Sequence, residues 1–367
     1  MGHRARVAAL IALAALTAAC GDPFVVIGDS PGVLRIVAGV PDSAGNSLAE
    51  RATESLLNEP HGIAAGADGM IYIADKRNAR LLAISPSGEV AVLVDHSDRS
   101  EEPRLRDPDG LALSGASRLV ISDPTANRVW QLDIESRELT PLAGTGNRGT
   151  APDTVDDALA ADLNRPTGVA IGPEGGIYFS ELEAHRVRCI EPGGVLVTFA
   201  GTGARGFKGD SGPARLAEMN RPAGLALGTD SLYIADSGNH RIRVVDLGTA
   251  LIHTVAGSGV GSFSGDGGPA TEAALYTPAA VAFSPGARKL YIGDTDNHRV
   301  RVVDLETLTI ATFAGTGDVV FNGDLRAAGE TALMYPRGIA VSPFQMLYIS
   351  DTGHHIVRRT AIAFLTQ

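Results

Sequence analysis

A short motif, Pro-x-Gly-apolar-Ala, recurs six times along the chain and constrains the fold more than any other feature. Five copies read "PHGIA", "PDGLA", "PTGVA", "PAGLA" and "PRGIA", and "PAAVA" is a close variant. Self-similarity at a spacing of roughly 50 to 60 residues is typical of a repeat architecture and predicts six structural units. The copies begin at Pro60, Pro108, Pro166, Pro222, Pro278 and Pro336.

Each motif is followed by further segments with the composition of β-strands. An apolar run such as "LYIAD" ends in an acidic residue, the next run opens with arginine in five units, and a run such as "IATFAG" comes fourth. β-Branched and aromatic runs bounded by turn residues are typical of strands, and four strands per unit is the number in a propeller blade.

The two ends of the chain complement each other. The sixth unit stops after its third strand, whereas "VLRIVAG" at residues 33–39 has the pattern of an unaccompanied fourth strand. The sequence therefore predicts an all-β fold over residues 33–367, a six-bladed β-propeller of four-stranded antiparallel blades. Blades should start near residues 60, 108, 166, 222, 278 and 336, and the N-terminal strand should close the ring by completing the last blade.

These motifs resemble the NHL-repeat family of six-bladed β-propellers, and connections such as "AGTGARGFKGDSGPARLAEMNRP" are similar to those of a bacterial exported and lipoprotein subtype. The resemblance covers residues 33–367 and implies the fold. It leaves the function open, because the family includes binding modules and enzymes. Related propellers include lactone hydrolases and lyases that hold calcium or zinc, and some animal members bind RNA.

The N-terminus has the features of an export signal. Arg4 and Arg6 precede a run of small apolar residues that ends in "LTAAC", which predicts a lipoprotein-type signal peptide at 1–19. We expect lipid on Cys20, a tether over 20–32, and localisation at a bacterial cell envelope with the lipid as the only membrane contact. The match is imperfect, because Leu16 lies one position further from the cysteine than usual, so simple secretion and an uncleaved anchor stay open.

Copy number separates scaffold from site, because a catalytic group is needed once and a structural group in every blade. The repeated acids and arginines are therefore interpreted as structural: the acids cap hairpin amides and the arginines hold blade to blade. His185, His240, His298 and His355 share one turn position and are interpreted the same way, with no shared metal. The repeated acids and arginines are Asp75, Asp123, Glu181, Asp236, Asp294, Asp351, Arg80, Arg128, Arg186, Arg241 and Arg299.

The residue after each motif proline should lie at the mouth of the central channel, because first strands line a propeller's channel. Four of these residues are polar and form the candidate ligand-binding set: His61, Asp109, Thr167 and Arg337. The other two are Ala223 and Ala279. A polar arc beside a small apolar gap could receive a small polar ligand, or it could be a solvated opening.

The long connections between blades are expected on the same face as this mouth. Three of them carry a phenylalanine and a Gly-Asp pair, with the aspartates at Asp210, Asp266 and Asp324. Each aspartate could cap its loop or, with backbone carbonyls, bind calcium, although no EF-hand spacing is present. The connections before the first and third blades lack both features, so this face is asymmetric.

The chain lacks Gly-x-Ser-x-Gly, Walker and His-Glu-x-x-His motifs, and the favoured function is a binding or assembly module. Its partner would be an envelope protein or a small polar ligand, with no cofactor expected apart from the open question of calcium. The alternative is a metal-dependent lactone hydrolase or lyase at the channel mouth. Loss of Arg4 and Arg6 changes the formal charge from −11 to −13, which disfavours nucleic acid as a partner.

Overall fold

A computed structural model describes residues 32–96 and 104–362. Its regular structure consists of β-strands joined by turns and short 3₁₀ helices. The strands are β1 (Val33–Ala38), β2 (Pro60–Ala65), β3 (Ile71–Asp75), β4 (Arg80–Ile84), β5 (Val90–Asp95), β6 (Leu111–Ser114), β7 (Arg118–Asp123), β8 (Arg128–Asp133), β9 (Leu139–Ala143), β10 (Thr154–Val155), β11 (Pro166–Ile171), β12 (Ile177–Glu181), β13 (Arg186–Ile190), β14 (Leu196–Ala200), β15 (Pro222–Leu227), β16 (Ser231–Asp236), β17 (Arg241–Asp246), β18 (Ile252–Ala256), β19 (Pro278–Ser284), β20 (Lys289–Asp294), β21 (Arg299–Asp304), β22 (Thr309–Ala314), β23 (Arg326–Ala327), β24 (Pro336–Val341), β25 (Met346–Asp351) and β26 (Ile356–Ala361).

The strands form six antiparallel sheets, which we number as blades 1 to 6. Blades 1, 2, 4 and 5 are β2–β5, β6–β9, β15–β18 and β19–β22. Blade 3 is β11–β14 with the two-residue β10 at its outer edge, and blade 6 is β24, β25, β26 and β1 with β23 at its edge. The first strands of neighbouring blades contact one another all the way around, including β24 with β2. The prediction of a six-bladed β-propeller is confirmed.

Ring closure by the N-terminal strand is also confirmed. Strand β1 pairs antiparallel with β26, with Arg35 opposite Arg359 and Ile36 opposite Arg358. The last blade thus takes its fourth strand from the start of the chain. Because both ends of the chain contribute hydrogen bonds to one sheet, the ring has no open edge between its first and last blades.

The apolar core is divided into six clusters, one between each pair of neighbouring blades. The cluster between blades 1 and 2, for example, combines Tyr72 and Leu81 with Leu119 and Trp130. A further cluster packs Ala38 and Val357 of blade 6 against blade 1. Each sheet is buried on both faces by its neighbours, so the hydrophobic stabilisation of any blade depends on the blades beside it.

The glycine of the repeated motif allows neighbouring first strands to approach closely around the channel. A Cβ atom on Gly224 would lie 2.6 Å from the carbonyl oxygen of Ala279 in the next blade, and one on Gly338 would collide with the carbonyl oxygen of His61. Blade 5 has Ala280 in this position, and there the partner residue on the second strand is Gly293. In blade 5 the glycine is therefore on the second strand. A Cβ atom on Gly293 would lie 3.2 Å from the Ala280 Cβ.

Within the described residues, the 3₁₀ helices are Ala52–Glu54, Lys76–Asn78, Ala158–Ala160, Ala214–Leu216, Ser237–Asn239, Thr295–Asn297, Ala328–Glu330 and Thr352–His354. None of the helices in this part of the chain has the length and apolarity needed to cross a membrane. The predicted signal peptide, the lipid site at Cys20 and all of the tether except Gly32 lie outside the described residues. Cys189 is buried in blade 3, and burial raises the pKa of its thiol to about 11.

Candidate functional site

The acid that ends each second strand joins the hairpin of its blade to the entry of the first strand. All six carboxylates are buried, and each accepts a hydrogen bond of 2.6–2.8 Å from the backbone N–H two residues before the motif proline. The donors are Asn58, Arg106, Asn164, Asn220, Tyr276 and Met334. Burial raises the pKa of four of these acids, Asp75, Asp123, Asp236 and Asp294, the last to about 6.

The arginine that opens the third strand binds the connections between blades. Arg80 and Arg186 donate both to the acid of their own blade and to carbonyl oxygens of the preceding connection. Arg128, Arg241 and Arg299 donate instead to carbonyl oxygens of the following connection, at Thr145, Ser258 and Thr316. These contacts join strands to connections in five blades, which is consistent with a scaffold role, although that role stays a prediction.

A second arginine, two residues further along the third strand, was missed by the sequence analysis. Arg188, Arg243, Arg301 and Arg358 occupy this position and are fully buried. In blades 4 and 5 they bridge the strand-end acid to the aspartate of the Gly-Asp pair. Arg243 contacts Asp210 at 2.6 Å and Arg301 contacts Asp266 at 2.6 Å. Equivalent positions in blades 1 and 2 hold Leu82 and Trp130, so incomplete repetition hid the signal.

These contacts bear on the calcium hypothesis for the Gly-Asp pairs. The two Asp266 carboxylate oxygens accept from Arg301 at 2.6 Å and from Thr312 at 2.6 Å. Asp210 is bound in the same way by Arg243 and Thr254, and Asp324 accepts from the backbone of Ile36. Because guanidinium and hydroxyl donors already bind the oxygens of Asp210 and Asp266, those carboxylates do not fit a cation site in this arrangement.

The turn histidines link each blade to the next. The Nδ1 atoms of His185, His240, His298 and His355 accept hydrogen bonds of 3.0–3.3 Å from the residue before the next blade's motif proline. Asn127 accepts in the same way through its side-chain oxygen at 3.2 Å. Burial lowers the pKa of His185, His240 and His298, which favours the neutral ring that such acceptance requires. These histidines therefore lie apart on successive blades.

His354 has a different role from its neighbour His355. It is buried, contacts the Asp351 carboxylate at 2.9 Å through Nδ1, and contacts the Val319 carbonyl at 2.9 Å through Nε2. Asn78, Asn239 and Asn297 make the equivalent bridge in other blades. Burial acts to lower the pKa of His354, but the Asp351 carboxylate outweighs it and raises the pKa above the usual value of 6.5.

Replacing His354 with asparagine is expected to preserve the fold and remove one pH dependence. Because the folded pKa is raised, the stabilisation from protonated His354 is fully present below about pH 6.5 and lost as the pH rises through the folded pKa. Urea unfolding of wild type and His354→Asn between about pH 5 and 9 should show a stability difference that shrinks with rising pH. A difference that does not vary with pH would contradict this.

All six residues predicted to line the channel mouth lie around one cavity at the centre of the ring. His61, Asp109, Thr167 and Arg337 form its polar side, and Ala223 and Ala279 its apolar side. The cavity measures about 240 Å³. A wider outer cavity of about 530 Å³ shares His61, Arg165 and Arg337 with it. The structure brings the candidate residues together, and their role in binding stays a prediction.

Lys76 is the main residue of the mouth that the sequence analysis missed. Its ammonium group forms an ion pair with Asp109 and lies 3.6 Å from the Asp107 carboxylate. It begins the hairpin of blade 1, at a position where Ser237, Thr295 and Thr352 donate to a carbonyl of the next blade. Lys76 therefore differs from the residues at the same position of other repeats, and this difference is visible in the sequence. Its contact with Asp109 of blade 2 could not be predicted from residue spacing.

The electrostatics of the mouth follow from this ion pair. Burial acts to raise the pKa of Asp109, but Lys76 and His61 outweigh it and hold the pKa well below its usual value. Burial lowers the pKa of His61, and Lys76 and Arg337 act in the same direction, against Asp109. The mouth therefore holds an ionised Asp109 and a neutral His61 near pH 7.

These residues do not fit a metal centre. No group of three or more His, Cys, Asp and Glu side chains in residues 32–96 and 104–362 could hold a metal ion. His61 Nδ1 and Asp109 Oδ2 lie 3.4 Å apart, but the Lys76 ammonium contacts both atoms. A cation entering there would have to displace Lys76, and Ala223 and Ala279 supply no ligand from the opposite side.

Comparison with known proteins begins with family models. The teneurin NHL domain matches residues 41–206, and the NHL repeat matches residues 219–245. NHL repeat-containing protein 2 of Homo sapiens is 23% identical over 78% of this chain and 44% of its own length. The chloroplastic protein Suppressor of quenching 1 of Arabidopsis thaliana is 26% identical over 70% of this chain and 25% of its own length. The chain spans less than half the length of these relatives.

Solved structures with the same architecture are more distant in sequence. An auxiliary nutrient binding protein from Bacteroides ovatus aligns with a TM-score of 0.66 at 17% identity, covering 89% of this chain and 76% of that one. A gluconolactonase from Xanthomonas campestris aligns with 0.57 at 16%, covering 92% of both. Streptogramin B lyase aligns with 0.52 at 15%, covering 89% and 96%. These likenesses concern the fold alone. Since the family models and the relatives agree with a six-bladed ring built from these repeats, the chain belongs to the NHL-repeat β-propeller family.

Proposed function

We propose that this protein is a binding module that recognises a small polar molecule at the mouth of its central channel. The observation that carries the proposal is the asymmetry of that mouth. A scaffold alone would repeat the same residues in every blade, yet His61, Lys76, Asp109, Thr167 and Arg337 each occur once at their positions and lie around one cavity. A concave site with a few convergent polar groups beside apolar surface is typical of small-molecule recognition.

Solved structures with this fold include a binding protein and an enzyme, so the fold leaves both roles open. The Bacteroides ovatus protein is described as a nutrient binding protein, whereas the Xanthomonas campestris protein is a gluconolactonase. The second candidate is therefore a metal-dependent lactone hydrolase or lyase at the same mouth. It is less favoured, because Lys76 already contacts the His61 and Asp109 atoms that would have to hold the metal.

Two measurements on a chain beginning at Pro31 distinguish binding from catalysis. Metal content, measured by mass spectrometry after purification without chelator or affinity metal, is expected to be far below one ion per chain. Equilibrium dialysis against a mixture of polar metabolites is expected to retain a compound unchanged in mass. One calcium or zinc per chain that disappears in the His61→Ala/Asp109→Ala variant, or consumption of a metabolite, would instead support the enzyme.

We also propose that the module acts at a bacterial cell envelope, held there by lipid on Cys20. The support is the sequence pattern at residues 1–20, in which Arg4 and Arg6 precede a small-apolar run that ends in "LTAAC". Replacing Cys20 with serine is expected to move the protein from the membrane fraction to the soluble fraction. If the variant still pelleted with membranes in the same proportion, the lipid anchor would be wrong.

A protein partner in the envelope is a further candidate for recognition on the face that carries the connections. The supporting observation is that the connections before blades 4, 5 and 6 expose apolar side chains. Leu216 is 69% exposed, Val260 60% and Val320 75%. Crosslinking on intact envelopes through a photoreactive residue at position 260 tests this candidate, and a discrete crosslinked protein is the expected result.

A further inference from the structure

The charges around the channel mouth indicate which class of molecule it binds, an inference that rests on the proposed binding function. Three acidic and six basic side chains line the inner and outer cavities. The acids are Glu59, Asp107 and Asp109, and the basic residues are Lys76, Arg77, Arg148, Arg165, Arg221 and Arg337. The mouth is therefore cationic, although the chain as a whole has a formal charge of −11.

Most of these charges are already neutralised by neighbours. Glu59 contacts Arg77 at 3.0 Å, and Lys76 contacts Asp109 and Asp107. Outside the cavity lining, Glu183 contacts Arg221 at 3.1 Å. Each acid that faces the mouth thus has a basic partner within the fold, and an incoming anion would not meet an uncompensated carboxylate there.

Three of the guanidinium groups lack a carboxylate partner within the described part of the chain, and one of them, Arg148, lines only the outer cavity and donates to the side-chain oxygen of Asn164 at 2.9 Å. Arg165 and Arg337 are exposed, line both cavities, and have no carboxylate partner among the described residues. Arg165 precedes the first strand of blade 3 and Arg337 lies in the first strand of blade 6. Blades 3 and 6 are opposite each other in a six-membered ring, so the two side chains approach the opening from opposite sides.

The side chains that line the mouth between the two arginines are either uncharged or bound in an ion pair. His61 is neutral because burial lowers its pKa, Thr167 presents a hydroxyl that is 2.9 Å from Ser180, and Asp109 is bound by Lys76. Guanidinium groups bind carboxylate and phosphate oxygens through paired N–H donors, and a recessed site strengthens the attraction.

From this arrangement we propose that the mouth binds a small molecule with anionic groups, held by Arg165 and Arg337 from opposite sides of the opening. The inner cavity of about 240 Å³ lies just below the roughly 300–1,000 Å³ of typical ligand sites, which favours a molecule of a few carbon atoms. The pair of Lys76 and Asp109 keeps the floor of the site polar without adding an uncompensated negative charge.

The test compares succinate with succinamide, its uncharged isostere, by calorimetric titration at constant ionic strength, with inorganic phosphate as a second anionic probe. Wild type is expected to bind succinate or phosphate and to ignore succinamide. Replacing each arginine with glutamine should weaken anion binding roughly 10- to 100-fold. The matched control is Arg288→Gln, because Arg288 is exposed beside Glu306 in the turn between β19 and β20, at the far end of blade 5.

Three results would overturn the anion proposal: no binding of either anion, equal binding of succinate and succinamide, or the same loss in Arg288→Gln as in Arg165→Gln and Arg337→Gln. The anion proposal can fail while the proposed binding function stands. If a neutral metabolite bound wild type and was lost in Thr167→Val, recognition at the mouth would stand and only its anionic character would be wrong.

Discussion

Replacing Arg301 with leucine is expected to lower the free energy of unfolding by about 3–5 kcal/mol, because it leaves two carboxylates without their cation. Arg301 is fully buried and contacts Asp266 at 2.6 Å and Asp294 at 3.3 Å. Leucine itself suits the position, since Leu82 stands there in blade 1. The loss of stability therefore arises from the two carboxylates that no longer have a cationic partner, and not from the leucine side chain. Urea unfolding at neutral pH measures it.

The loss should also depend on pH. Burial already raises the pKa of Asp294 to about 6 despite the opposing charge of Arg301. Without that charge the pKa rises further, so the variant is destabilised most above the folded pKa and least when Asp294 is protonated. Arg288→Leu is the control, because Arg288 is an exposed arginine that contacts Glu306 at 3.5 Å and should cost no more than about 1 kcal/mol. Equal losses in the two variants would contradict the buried bridge.

Replacing Gly338 with alanine is expected to cost about 3 kcal/mol, because the added methyl group collides with the next blade. A Cβ there meets the carbonyl oxygen of His61 and lies 2.8 Å from the Ser350 hydroxyl. Strand β24 would have to move away from β2, which loosens the closure between blades 6 and 1. The midpoint of urea unfolding should fall accordingly.

Blade 5 supplies the control for this prediction. It carries Ala280 at the equivalent position and Gly293 on the second strand, where blade 6 has Ser350. The double variant Gly338→Ala/Ser350→Gly copies that arrangement and should recover part of the loss. Ala280→Gly, which removes a methyl group and only adds backbone freedom, should cost about 1 kcal/mol. A Gly338→Ala variant as stable as wild type would show that the blades do not meet as closely as described.

The regularity of the repeat explains how much of the fold was readable in advance. Each of the four main strands of a blade has a counterpart in the other five blades, so the strand pattern was supported by six copies. Closure by residues 33–39 followed because only that segment had a fourth-strand pattern without three preceding strands. Incomplete repetition concealed the second arginine, since Leu82 and Trp130 occupy its position in blades 1 and 2. Asp153 was missed for a similar reason: it accepts from Thr198 at 2.9 Å as Asp210 does from Thr254, but its connection has no Gly-Asp pair.

The sequence by itself determined the six blades, the closure of the ring and the position of the six residues after the motif prolines at the channel mouth, because strand period and repeat position specify where a side chain lies within its own blade. Only the tertiary structure decided what those residues are bound to. Lys76 reaches Asp109 across a blade boundary, and Arg165 and Arg337 share one opening although 172 positions separate them in the sequence. The physical reason is that the channel mouth is formed between blades, where contacts depend on side-chain reach and on the packing of neighbouring sheets rather than on spacing along the chain.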